Sequence, residues 1–196
     1  MISKLSTKLT EQLFRKGLIG REDKDLYEYA FFVMGSHAFF FLTSLIIGSS
    51  VNIPIEAMVF YLSFCCVRRF AGGIHADSET KCILFTILSI IFSVLLIKTF
   101  NYFSLSVASI CIMVISVITV ILISPVDTPN KRIDQNKKRL YRKKTILFTI
   151  INLGLFACMN VLKKYNIAIA LSIGMSLAAI LLILGKFEEI KQNCKE

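Results

Sequence analysis

The chain has no tryptophan, no internal repeat and no low-complexity tract, and only 18% of its 196 residues are charged. Low charge together with 11% aromatic residues excludes an intrinsically disordered chain, which needs the opposite balance. Acidic residues are scarce, 13 against 23 lysines and arginines. The positive excess sits in short segments between apolar runs, which argues against nucleic acid as a partner and for a role in membrane orientation. The six cysteines, Cys65, Cys66, Cys82, Cys111, Cys158 and Cys194, lack the spacing of metal ligands or of a disulfide framework. No metal centre and no cofactor are therefore expected, and most of these thiols read as small buried hydrophobes. Residues 1–28 carry charges throughout and contain no apolar stretch ending in small residues, so no cleaved signal peptide is expected.

What is abundant is apolar. Hydrophobic residues make up 55% of the chain and the mean hydropathy is +0.68, above the roughly 45–50% of soluble domains even with glycine counted. Six runs, at 29–49, 52–67, 82–100, 103–124, 145–162 and 166–185, approach the roughly 20 residues that a bilayer core demands. The second is short. Ahead of them, Ile2, Leu5, Leu9 and Leu13 share one helical face while Lys4, Lys8, Glu11 and Arg15 share another. That pattern suits a helix lying on the membrane surface or one packed on the loops of its own bundle. The fold expected is all-α: a single polytopic membrane bundle of about six transmembrane helices with an N-terminal amphipathic interfacial helix. Its parts are a segment 1–28, a bundle 29–185 and a tail 186–196.

If all six runs cross, 20 of the 23 basic residues fall on one side and only Lys98, Lys163 and Lys164 on the other. Cationic loops stay in the cytoplasm, so both termini and the loops around 68–81 and 125–144 are expected there, in a multi-pass protein of the cell membrane. Tyr27, Tyr29, Tyr102, Tyr141 and Tyr165 flank the spans and take the interfacial role that tryptophan would fill. In the last span, Gly174 with Ala178 and Ser172 with Ser176 have the spacing that permits close helix approach.

The chemistry-bearing stretch is Cys65 to Cys82, with Arg68, Arg69, Gly72, Gly73, His75 and Asp77 between. Gly72 and Gly73 allow a sharp turn just before His75. Asp77 or Ser78 can cap the following helix, which puts Cys82 about one turn in, where the positive helix end favours the thiolate nucleophile. His75 is a candidate base for that thiol. On one continuous helix the two would stand about 10 Å apart, so the loop has to fold back for them to meet. Asp77 or Glu79 is a candidate to orient the imidazole. The bland alternative makes Arg68 and Arg69 orientation anchors, His75 a solvated loop residue and Cys82 a packing residue.

The run Arg68-Arg69-Phe70-Ala71-Gly72-Gly73-Ile74-His75, followed by Cys82, resembles the signature of the accessory gene regulator protein B (AgrB) family of membrane cysteine endopeptidases in quorum sensing. Ser124-Pro125-Val126-Asp127-Thr128-Pro129-Asn130-Lys131 resembles a second segment of that family, P-x-[ED]-x-x-N-K. The resemblance implies that His75 and Cys82 are the catalytic pair. Arg68, Arg69, Gly72, Gly73, Asp77 and Asp127 become supporting or substrate-binding candidates. It also implies an AgrD-type propeptide substrate, cut on the C-terminal side of the future signal through an acyl-enzyme and closed to a thiolactone or lactone ring.

Membrane lipid and a second copy of the chain are further candidate partners. Two ionisable residues lie within apolar runs: His37, expected to bond within the bundle, and Glu56, expected to reach the outer interface. The basic loop from Lys131 to Lys144 reads as an orientation signal, with a propeptide's acidic tail as a second role. A small transporter or lipid-handling protein, with Arg68, Arg69 and that loop on phosphate head groups, is the competing class and does not need Cys82. A noncatalytic scaffold needs neither Cys82 nor His75.

Overall fold

The computed structural model describes residues 2–73, 79–126 and 135–193. His75, Asp77 and Asp127 lie outside the described residues. Seven helices are described: α1 (Ile2–Arg15), α2 (Lys24–Ser50), α3 (Pro54–Ala71), α4 (Glu79–Tyr102), α5 (Ser106–Ile123), α6 (Gln135–Val161) and α7 (Tyr165–Asn193). The chain divides into two compact units, Met1–Thr43 and Ser44–Glu196, with α2 running from one into the other. Five helices, α2, α4, α5, α6 and α7, are long and apolar enough to cross a membrane. This is the all-α architecture of a multi-pass membrane protein. The remaining long helix, α3, has 18 residues, and three of them, Glu56, Arg68 and Arg69, are charged. It is the short second run of the sequence, with charge at both ends and about 27 Å of length between them.

In the first unit, α1 turns Ser6 and Thr10 inward while Leu5 and Leu9 stay exposed. Thr7 Oγ1 donates to Glu28 at 2.6 Å and Lys24 lies 4.0 Å from Glu11, so polar contacts tie α1 to α2. Of the apolar stripe read from the sequence, Ile2 is buried while Leu5 and Leu9 are not. His37 is half-buried and has a partner.

In the second unit, α3, α4, α5 and α6 all pack on α7, whose span is 67% buried, against 22% for each of α4, α5 and α6. The last helix is therefore the central post. Its small residues make that position available: a Cβ on Gly174 would sit 2.7 Å from the carbonyl oxygen of Phe60, so α3 passes at backbone distance. Ser63 Oγ there donates across to the Leu171 carbonyl at 3.2 Å. Val67, Met113, Val120, Phe156, Met175 and Leu182 fill the core that these crossings enclose. At the other end of α3, Pro54 occupies the first helical turn, where its missing N–H costs nothing, and the half-buried Glu56 sits in the same turn, favoured by the helix dipole.

Candidate active site

Helix α3 cannot continue past Ala71, because Gly72 (φ 81°) and Gly73 (φ 120°) take backbone conformations that other residues adopt only with strain. The carbonyl of Ala71, left open by the helix end, accepts a hydrogen bond from the Val126 N–H at 3.0 Å, and Gly72 and Val126 form an isolated parallel bridge. The contact is tight: a side chain on Gly72 would run into the Val126 carbonyl. The two segments that carry the motifs, 55 positions apart between Ala71 and Val126, are thus pinned together by backbone at one end of the helices.

Arg68 closes this turn from the inside. Its guanidinium donates to the Gly72 carbonyl and packs where a Cβ of Gly73 would stand. That same position lies 2.9 Å from the Leu181 carbonyl of α7. Arg68 also interacts electrostatically with Cys82. Cys82 is the fourth described residue of α4 and is half-buried. Thr86 Oγ1 donates to the Cys82 carbonyl at 2.8 Å, one turn further along.

Arg69 points elsewhere. It is exposed and its guanidinium lies 5.8 Å from the Phe70 ring, with Lys144 Nζ 5.3 Å from that ring. Phe70 stacks on Phe148 (5.3 Å, 8° between planes) and meets Tyr141 at 6.3 Å. The basic start of α6 is fastened to the end of α3 by these aromatic and cation–π contacts, each on the order of 0.5–1.5 kcal/mol.

Of the residues singled out from sequence, the structure brings Arg68, Gly72 and Gly73 into one turn and places Cys82 in electrostatic reach of it. Arg69 is directed to the aromatic cluster. Sequence reasoning missed Val126, whose contribution is a backbone N–H, and Phe70, Tyr141, Lys144 and Phe148. The spacing of Tyr141, Lys144 and Phe148 along one helical face was the available signal for the latter. Among the described residues no group of histidine, cysteine and acidic side chains could hold a metal ion.

Residues 4–182 match the model of a family described as Accessory gene regulator B. An AgrB-like protein of Clostridium perfringens strain SM101 is 29% identical over 190 residues, covering 92% of this chain and 87% of its own length. AgrB-like protein 2 of C. perfringens strain 13 is 29% identical over 175 residues, covering 85% and 80%. AgrB-like protein 1 of the same strain is 30% identical over 129 residues, covering 64% and 66%. No solved structure matches.

Proposed function

The chain belongs to the accessory gene regulator B family, and from that premise we propose that it is a membrane cysteine endopeptidase that cuts an AgrD-type propeptide and passes the acyl group on to close a ring. The observation that carries this reading is the Gly72–Gly73 turn, where Arg68 donates to the Gly72 carbonyl and Ala71 bonds Val126, so that backbone joins the two motif segments at the end of α3 from which the chain leads through His75 to Cys82. His75, two residues beyond that turn, takes the thiol proton. The Cys82 sulfur attacks the scissile carbonyl, and the carbon–nitrogen bond breaks as the imidazolium returns the proton to the leaving amine. A thiol or hydroxyl within the propeptide then attacks the thioester, its proton passing to the Cys82 sulfur as that sulfur leaves.

The energetics set a condition on the site. Acyl transfer from one thiol to another changes free energy little, whereas making the first thioester from a peptide bond is uphill. Water must stay out until the ring closes, and the acidic fragment must leave. A nucleophile at the membrane boundary meets the first need, and the positive charge of Arg68 offers stabilisation where negative charge develops on sulfur or oxygen.

The reading requires the site to face the cytoplasm, where a newly made propeptide is found. Reporter fusions within 68–81 and 125–144 are expected to report the cytoplasm, and a coexpressed AgrD-type propeptide is expected to be cut only when the chain is present. A loop found outside, or a propeptide left whole, would move the assignment to the transporter or scaffold class.

A further inference from the structure

The start of α6 is strongly cationic. Lys138, Arg139, Arg142, Lys143 and Lys144 fall close together, and the helix contains no acidic residue. For a helix standing alone this charge is unfavourable: cations at the N-terminal end oppose the dipole, and Lys138 with Arg142 and Arg139 with Lys143 are like charges four residues apart. The sides of the helix differ in what they meet. Lys144 lies over the Phe70 ring, which Tyr141 and Phe148 also contact. Arg139, Arg142 and Lys143 are exposed, and none has a hydrogen-bond or ion-pair partner among the described residues.

Below these cations the same face continues as an apolar strip. Arg139 and Lys143 are followed at helical spacing by Leu147 and Ile150, which are 55% and 57% exposed. Thr145, which opens the apolar run, is buried, and at helical rise the three cations stand about 3–9 Å outside it. A headgroup layer is roughly 5–8 Å deep, so they span that layer. We propose that this face binds an anionic diacyl phospholipid, its phosphate on Arg139, Arg142 and Lys143 and its chains along Leu147 and Ile150. Each arginine fork can hold two phosphate oxygens, and the lysine adds a point charge. An acidic peptide offers the same charge but has no counterpart to the apolar strip. A lipid held there bears on the candidate site, because Tyr141 and Phe148 join the same stretch of α6 to Phe70 at the end of α3.

The chain has no tryptophan, so Leu147→Trp puts a single fluorophore on the strip. The full-length variant is placed in phosphatidylcholine vesicles in which part of the lipid is dibrominated phosphatidylcholine or dibrominated phosphatidylglycerol with the same chains. Bromine quenches only the fluorophore it touches. Phosphatidylglycerol is expected to show an apparent affinity about fivefold higher than phosphatidylcholine at this position. Arg139→Gln, Arg142→Gln and Lys143→Gln together should remove the preference. Lys4→Gln, Lys8→Gln and Arg15→Gln take the same charge from exposed positions of α1 and should leave it, which separates a site from the general attraction of a +10 chain for anions. Equal quenching by the two lipids with the patch intact would overturn the proposal, as would a preference that falls equally in both triple variants. A labelled oligoglutamate that binds the parent and not the first triple variant, with no phosphatidylglycerol preference in either, would give the patch to an acidic peptide and overturn the lipid.

Discussion

Replacing Cys82 by alanine is expected to reduce propeptide cleavage at least a thousandfold with protein abundance unchanged, and His75→Ala is expected to do the same. Losses of this size follow when a covalent peptidase loses its nucleophile or its base, since the two act as a unit. Cys82→Ser should also fail, because a serine hydroxyl stays protonated near neutral pH where a thiol supplies its thiolate. The double variant should be no worse than either single one, which separates a shared step from two independent contributions. Alanine at Cys65, Cys66, Cys111, Cys158 or Cys194 should leave cleavage intact. Quantitative immunoblotting of cut and uncut propeptide, beside the membrane-fraction level of each variant, gives the answer. Full activity in either Cys82→Ala or His75→Ala would end the thiol-peptidase account.

The second large effect belongs to the glycine turn. Gly72→Ala brings a Cβ against the Val126 carbonyl, and Gly73→Ala puts one where the Arg68 guanidinium packs. Both positions also have positive φ, so each substitution carries backbone strain on the order of 1–3 kcal/mol besides the collision. The strain falls at the junction of α3 with the Val126 segment, which borders the core, since Ala71 and Val126 belong to the same buried cluster as Met175 and Leu182. Each variant is expected to lose at least a hundredfold in cleavage per molecule of membrane-inserted protein, with its membrane-fraction level and helical circular dichroism measured beside it. Gly154→Ala is the matched control, since a Cβ there meets open space and the φ is ordinary, and it should cut normally. Wild-type cleavage by Gly72→Ala would show that the turn is not part of the working site.

The sequence made the membrane bundle plain, but it located spans better than helices. Hydropathy marks where side chains are apolar, not where the backbone is helical. The run read at 145–162 is the inner part of a helix that begins at Gln135, because Lys138, Arg139, Arg142, Lys143 and Lys144 are good helix formers without being apolar. Likewise α7 continues to Asn193, beyond its apolar run, through Lys186 and Glu189, which pair at 2.9 Å. The central position of α7 was legible in part, through the spacing of Gly174 and Ala178, since small residues permit approach without saying which helix will use it.

The site divides the same way. That Gly72 and Gly73 end α3 and turn the chain could be read from local rules, because it depends on a few adjacent residues. That Ala71 bonds to Val126 could not, because a backbone hydrogen bond across so many residues leaves no mark on side-chain identity. Arg68 shows the limit of reading charge as topology. Of two adjacent arginines, one turns inward to the Gly72 carbonyl and the other outward to Phe70, and helix phase, not sequence composition, decides which.

The acyl-enzyme itself is tested most directly by the mass of the peptide released when the chain is coexpressed with its propeptide. If Cys82 holds the acyl group until an internal thiol or hydroxyl captures it, the processed N-terminal portion appears one water lighter than its linear acid. A cut product found only at the mass of the linear acid, under conditions where a synthetic ring survives, would contradict acyl transfer from Cys82 to the peptide's own nucleophile.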